Sequence, residues 1–319
     1  MRILIVKTSS MGDVVHALPL AADIAAHVPG AQIDWLAEEG FAAIPAMSRH
    51  VQKVHRVALR RWRRAPLQPG TWREIAGVRA NLAAARYDRV LDVQGLLKSA
   101  WMARWTRSRV AGPSSDSARE RIASVLYSQP VDVPRDMHAV ERCRRIGAAA
   151  LGYAIDGPAR FDLDVPTAPA LEMAAPSAVL LVNASRATKL WPEEHWTALE
   201  RWLASLGLRS ALFAGTADEA LRVSRLVDGM QRAVAVPWMP IESIAATVAA
   251  ARVVIGLDTG LTHLAAALGR PTVGIYCDYD PRLVGLVGDG PVRSLGGVGQ
   301  SPSLGQVITA AEAVMDSVR

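Results

Sequence analysis

At 319 residues, 50% hydrophobic and 21% charged, the chain has a globular balance that excludes intrinsic disorder, because it can bury enough apolar surface to offset chain entropy. It exceeds the length at which a single core usually stops growing, so two domains of about 150 residues each, with a cleft between them, are expected. The formal charge of +6 is uneven: residues 1–165 hold 24 Lys and Arg against 16 Asp and Glu, whereas residues 166–319 hold 12 against 14. The excess in the first half points to an anionic partner, which on composition alone is nucleic acid, a membrane surface, or a phosphorylated or carboxylated substrate.

The predicted elements begin with ILIV (3–6), a strand whose apolar stretch before Lys7 is too short for a signal-peptide core. No later segment approaches about 18 uninterrupted apolar residues, so a cytoplasmic protein is expected. A helix follows, beginning near Asp13 and amphipathic from Val14, then a strand at IDWLA (33–37), the charged run RRWRR (60–64), and VLDV (90–93) leading into another helical run. The stretch PTAPALEMAAP (166–176) suits a linker, and the pattern restarts with AVLLV (178–182), SALFAG (210–215), VVIGL (253–257) and TVGIY (272–276). The alternation reads as βαβ units in two Rossmann-like domains with parallel sheets, 1–165 and 177–319, and a terminal helix from about Gln306. Cys143 and Cys277 lack the paired spacing of a zinc site or disulfide framework.

Ligands of open α/β sheets bind where a strand ends and a helix N-terminus offers free N–H groups. Two segments have that form: KTSSMGDVVHALP (7–19) and GLDTGLTHLAAALGRP (256–271). Neither carries GxGxxG or GxxxxGK[ST], which argues against a dehydrogenase and a phosphate-loop NTPase. Helix capping alone explains Ser, Thr, Asp and Gly at such places equally well. Asp13, at a helix N-terminus, is expected to be ionised and able to accept a proton, although the same dipole weakens it as a base. In NASRATKLWPEEHW (183–196), Arg186 and Lys189 could neutralise phosphates, or form a solvated loop before a helix opened by Pro192, Glu193 and Glu194. His263 reads as a packed or capping residue or as a phosphate ligand. RRWRR offers bidentate guanidinium donors, in the company of Arg56, Lys98, Arg104, Arg107, Arg109, Arg119 and Arg121.

These segments, with DWLAEEGFAAIP (34–45), DVQGLLKSA (92–100), HAVER (138–142) and WPEEHW (191–196) in this order, resemble the bacterial lipopolysaccharide heptosyltransferase I family over nearly the whole length. The resemblance implies a GT-B fold with two Rossmann-like domains facing across a cleft, the N-terminal one binding the acceptor and the C-terminal one the nucleotide sugar. It implies inverting transfer of L-glycero-D-manno-heptose from ADP-heptose to the Kdo of Kdo-lipid A, with no cofactor and no obligatory metal. Asp13 would deprotonate the acceptor hydroxyl. The N–H groups of Thr259, Gly260 and Leu261 would bind phosphate, with Lys189, Ser185 and His263 beside them. Asp258 would orient the sugar, Glu219 the ribose, and Met239 would contact adenine. Arg60, Arg61, Arg63, Arg64, Lys98 and Arg119 would hold Kdo carboxylates and lipid A phosphates, which gives the charge asymmetry a cause.

The implied setting is the cytoplasm, with transient contact at the inner face of the inner membrane and no nucleic-acid partner. The departures are YCDYDP (276–281), where the family commonly has Gly-Pro before a similar Asp-Pro, and a Lys189 segment one residue shorter than in enterobacterial relatives. A heptosyltransferase with another core acceptor and a non-catalytic nucleotide-sugar sensor are the alternative readings.

Overall fold

The computed structural model describes residues 1–167 and 177–317, so the expected linker falls outside the described residues except for Pro166 and Thr167. The chain forms two units, Met1–Asp162 and Leu163–Arg319.

The first unit runs β1 (Arg2–Val6), α1 (Met11–Ala17), α2 (Pro19–His27), β2 (Gln32–Glu38), α3 (Ala43–Ala46), β3 (Val51–Val57), α4 (Leu59–Arg64), α5 (Pro69–Ala84), β4 (Arg89–Asp92), α6 (Leu97–Ala103), β5 (Val110–Pro113), β6 (Gln129–Val131) and α7 (Ala139–Leu151). Its six strands are all parallel, in the order β3-β2-β1-β4-β5-β6. Parallel strands covered on both faces read as continuous apolar runs, and Ile3 to Val6 are fully buried accordingly. One layer, from α1, α2 and α7, is tied by Arg144 of α7, whose guanidinium donates to both carboxylate oxygens of Asp23 in α2 at 2.8 and 3.0 Å. On the other face Leu4, Val6, Leu36, Leu82, Met102 and Trp105 form a core with α5 and α6.

The second unit runs β7 (Ser177–Leu181), α8 (Glu193–Ser205), β8 (Arg209–Leu212), α9 (Ala217–Asp228), β9 (Ala233–Ala235), α10 (Ile241–Ala250), β10 (Val253–Leu257), α11 (Gly260–Ala267), β11 (Thr272–Tyr276), α12 (Pro281–Val284), β12 (Val292–Gly296) and α13 (Leu304–Asp316). Its sheet is parallel in the order β12-β11-β10-β7-β8-β9. Counted from β7, this is the same winding as in the first sheet. The terminal helix α13 packs its Val307, Ala311 and Val314 into the core with Trp191, Trp196, Leu203, Ile255 and Ile275. No helix among the described residues is long and apolar enough to cross a membrane.

In each sheet the winding reverses between the first and fourth strands, which opens a crevice beyond their carboxyl ends. In the first unit that crevice lies past β1 and β4; in the second it lies past β7 and β10. Both segments singled out in the sequence begin at one of these two points.

Candidate active site

In the first unit the loop from Lys7 to Ser10 leaves β1 and enters α1, which starts at Met11, two residues earlier than the sequence suggests. Ser10 is the N-cap, and both its N–H and its hydroxyl donate to one Asp13 oxygen at 2.8 Å. The buried Lys7 ammonium donates to the Val93 carbonyl at 2.9 Å and lies 4.0 Å from the other Asp13 oxygen. Burial works to raise the Asp13 pKa, but Lys7, the two Ser10 donors and Arg119 together outweigh it and hold the carboxyl below its ordinary value. Asp13 is thus ionised at neutral pH, as its place at a helix start implies.

Gln94 latches this loop from the end of β4. Its side-chain oxygen accepts from the N–H groups of Thr8 and Ser9 at 2.8 and 3.2 Å, and its amide donates to the Ser9 carbonyl at 2.6 Å. The latch is itself held from below, because Asp92 accepts from the Gln94 N–H at 2.9 Å and from the Ser99 and Tyr127 hydroxyls at 2.8 Å each. Burial raises the Asp92 pKa, which those hydrogen bonds only partly offset. Lys7 beside Asp13 and Gln94 on the Thr8–Ser9 backbone hold this loop, and neither is marked out by the sequence; Gln94 lies within DVQGLLKSA, one of the segments that carry the family resemblance.

In the second unit the first-strand loop and the fourth-strand loop meet. Lys189, at the end of a short 3-10 turn after β7, reaches one Asp258 oxygen at 2.5 Å, and His263 Nε2 lies 3.3 Å from the other. Burial pushes the Asp258 pKa up, and His263 and Lys189 more than reverse it, so the carboxyl is held below its ordinary value. Thr259 caps α11 without a side-chain bond to the helix backbone; its hydroxyl pairs with Thr262, which in turn donates to the Leu257 carbonyl at 2.6 Å. The N–H groups of Thr259, Gly260 and Leu261 have no hydrogen-bond acceptor among the described residues. Three free donors at a helix N-terminus, with a lysine beside them, are suited to an anion such as phosphate.

The loop carrying Lys189 is pinned by Trp191, which is buried and donates its indole N–H to the Pro302 carbonyl at 2.8 Å. The loop brings Lys189 onto Asp258. At the departing YCDYDP segment, Asp278 accepts from the Thr188 hydroxyl at 2.6 Å and lies 3.7 Å from Arg186, while the Tyr279 ring sits 5.6 Å under the Lys189 ammonium. Lys189, Asp258, Thr259, Gly260, Leu261 and His263 form one cluster. Ser185 is exposed, Glu219 accepts from the Gly215 N–H at 2.7 Å, and Met239 lies between β9 and α10. None of these last three is hydrogen-bonded to the cluster.

The arginine run forms a short helix with its arginines in solvent: α4 buries only Trp62, and Glu38 caps its start by accepting from the N–H groups of Leu59 and Arg60 at 3.1 Å each. Arg60, Arg63 and Arg64 are exposed. Arg61 differs, since it is engaged by Glu39 and Glu74 at 3.0 and 2.9 Å. Lys98 and Arg119 are exposed beside the Asp13 loop, with Lys98 Nζ 3.5 Å from the Ser9 hydroxyl.

Residues 75–309 match the family described as glycosyltransferase family 9 (heptosyltransferase). Lipopolysaccharide heptosyltransferase 1 of Pseudomonas aeruginosa is 41% identical over 298 residues, 92% of this chain and 83% of its own. The chain belongs to glycosyltransferase family 9. Among curated relatives of this heptosyltransferase family, lipopolysaccharide heptosyltransferase 1 of Escherichia coli K12 is 40% identical over 90% of this chain and 91% of its own. The solved structure described as E. coli heptosyltransferase WaaC with ADP superimposes with a TM-score of 0.88 at 37% identity, covering 98% of this chain and 99% of that one. E. coli heptosyltransferase II has the same fold, with a TM-score of 0.81 at 19% identity over 99% of this chain and 98% of that one. The protein is therefore a glycosyltransferase of the heptosyltransferase family with the GT-B type of fold.

Proposed function

We propose that this family 9 glycosyltransferase moves L-glycero-D-manno-heptose from ADP-heptose to the Kdo of Kdo-lipid A, with inversion, in the cytoplasm and in transient contact with the inner face of the inner membrane. The observation that carries the proposal is the pair of switch-point sites: an ionised carboxylate, Asp13, at one, and three free N–H groups beside Lys189 at the other. Relatives solved with ADP and with ADP-2-deoxy-2-fluoro heptose support the choice of donor.

In this reading Asp13 takes the proton from the acceptor hydroxyl as its oxygen attacks the anomeric carbon; the bond to ADP breaks, and one displacement inverts the centre. Asp13 is a modest base because Lys7 and Ser10 stabilise its anion, so much of the driving force comes from the leaving group. As ADP departs it gains negative charge, and the N–H groups of Thr259, Gly260 and Leu261 with Lys189 are pre-aimed to receive it, with His263 supporting. Asp258 keeps Lys189 in place and orients the sugar, while Glu219 and Met239 hold ribose and adenine, with Ser185 near the phosphates. Arg60, Arg63, Arg64, Lys98 and Arg119 grip the acceptor's carboxylates and phosphates. Arg61 joins them by exchanging its Glu39 and Glu74 partners.

The test is ADP release from ADP-heptose with Kdo-lipid A, comparing the intact protein with folded Asp13→Ala. Release should require acceptor and fall by about 10²–10⁴ in the variant. Equal rates would remove Asp13 from the mechanism. Donor binding without turnover on Kdo-lipid A, but with turnover on heptosylated core, would reassign the acceptor.

A further inference from the structure

The outward face of α6 sets two large apolar side chains, Leu97 and Trp101, 43% and 57% exposed, between basic ones. Ser99, Ala100, Met102 and Ala103 turn inward, while Leu97, Lys98, Trp101 and Arg104 follow one another at helical spacing on the exposed side. The adjoining 3-10 turn, Arg121–Leu126, presents Ile122 and Val125, 62% and 80% exposed. Glu120 joins the two elements, accepting from the Leu97 N–H at 2.7 Å and donating its own N–H to the Gly95 carbonyl at 3.0 Å. Leu96, Leu97, Lys98, Trp101 and Glu120 line an open groove of about 650 Å³. Large apolar side chains gathered on two touching elements mark an interaction surface, which singly scattered ones do not.

The charge around this patch identifies its partner. Lys98, Arg104, Arg119 and Arg121 are exposed around it; against them stand Glu120, tied to Leu97, and Asp116, 3.8 Å from Arg121. A second copy of the chain would set this cationic rim against itself. An anionic lipid surface complements it, since apolar and aromatic side chains enter the acyl boundary while Lys and Arg meet the phosphates. The patch also adjoins the Asp13 loop, through Lys98 beside Ser9 and through the pull of Arg119 on Asp13.

We propose that α6 and the turn Arg121–Leu126 form the face by which the protein docks on an anionic bilayer, with Trp101, Ile122 and Val125 entering the headgroup boundary. This rests on the reading of the Asp13 loop as the site of a lipid-anchored acceptor: docking there brings a membrane-borne sugar to the carboxylate that takes its proton.

Flotation with phosphatidylcholine vesicles containing phosphatidylglycerol, without donor or acceptor, tests the proposal against pure phosphatidylcholine vesicles. The intact protein should float with the anionic vesicles alone. The combined variant Trp101→Ser, Ile122→Ser, Val125→Ser should partition about tenfold or more weakly, while keeping its unfolding temperature and its ADP release on a deacylated, water-soluble acceptor. Three results would overturn the proposal: no flotation of the intact protein, equal flotation of the variant, or a dimer of the intact protein that the variant abolishes without any vesicle binding. Because the flotation contains no sugar, its failure leaves the glycosyl-transfer reading standing. Vesicle binding without ADP release on any acceptor would instead overturn that reading and leave the docking face in place.

Discussion

Lys189→Met removes the cation 2.5 Å from Asp258 and keeps most of the side-chain stem. Deleting one partner of a buried pair costs about 3–5 kcal/mol. Here the Lys189 and Asp258 side chains retain 13% and 11% exposure, and His263 still lies 3.3 Å from the second Asp258 oxygen; the expected loss is nearer ~2–3 kcal/mol. The sign with pH follows from the lowered Asp258 pKa. Stability from the ionised pair is fully present above the carboxyl's ordinary value of 3.8 and disappears as pH falls through the lower, folded value. The deficit of the variant is therefore largest at neutral pH and shrinks in acid. Urea unfolding at pH 7 of Lys189→Met, Asp258→Asn and the double variant should show a coupling of at least ~1 kcal/mol. Calorimetric titration should show ADP bound about 10–100-fold more weakly by Lys189→Met, the worth of one charge-assisted hydrogen bond. Additive single effects, or unchanged ADP affinity, would refute the assignment of Lys189 as a clamp on both Asp258 and phosphate.

Ser10→Ala deletes one of the two Ser10 donors to Asp13, so the carboxyl pKa rises and the acid limb of the kcat/KM profile moves to higher pH, with the plateau nearly retained; a pH–rate series reads the shift. Arg119→Ala should move the limb in the same direction by less. Gly256→Ala would drive its new Cβ into the Thr262 hydroxyl and set it 2.8 Å from the Leu181 Cβ. Such overpacking costs about 1–3 kcal/mol, so thermal unfolding should drop by about 2–4 °C per kcal/mol and ADP affinity should weaken, because Thr262 ties the start of α11 to β10. Asp23→Ala should cost about 2–4 kcal/mol, below the full penalty for an unpaired buried charge because Arg144 keeps Glu141 at 3.4 Å, visible in urea unfolding of the first unit with ADP affinity unchanged.

The central strands were legible because burial on both faces makes them unbroken apolar runs: ILIV, IDWLA, AVLLV, VVIGL and TVGIY all lie within or overlap observed strands. The outer ones were not. VQKVHRV of β3 is interrupted by Gln52, Lys53 and Arg56, QPV of β6 contains proline, and AVA of β9 is three residues long, features by which sheet edges avoid further pairing. RRWRR looked like a charged strip because one buried Trp among four arginines carries too little periodicity to announce a helix. At the candidate sites, Asp13, Asp258 and Thr259 to Leu261 were visible as helix starts after strands. The lysine that answers each carboxylate was harder: Lys7 reads as the end of a strand, and the contact between Lys189 and Asp258 spans 69 residues of chain. Gln94 gives no local signal, since its role exists only once β4 lies beside β1.

Trp191 gives the protein a built-in optical gauge. It lies two residues beyond Lys189, its ring meets that of Trp196 edge-on at 5.1 Å, and its indole N–H is committed to Pro302. Trp72, Trp101 and Trp238 face water, whereas Trp35, Trp191 and Trp196 are sealed from it. Emission from the nine tryptophans thus divides into a red, acrylamide-quenchable part from the exposed rings and a blue, protected part that includes the Trp191–Trp196 pair. Any ligand that shifts the Lys189 loop alters the hydrogen bond and ring contact of that protected pair, so unlabelled protein can report occupancy in a fluorimeter.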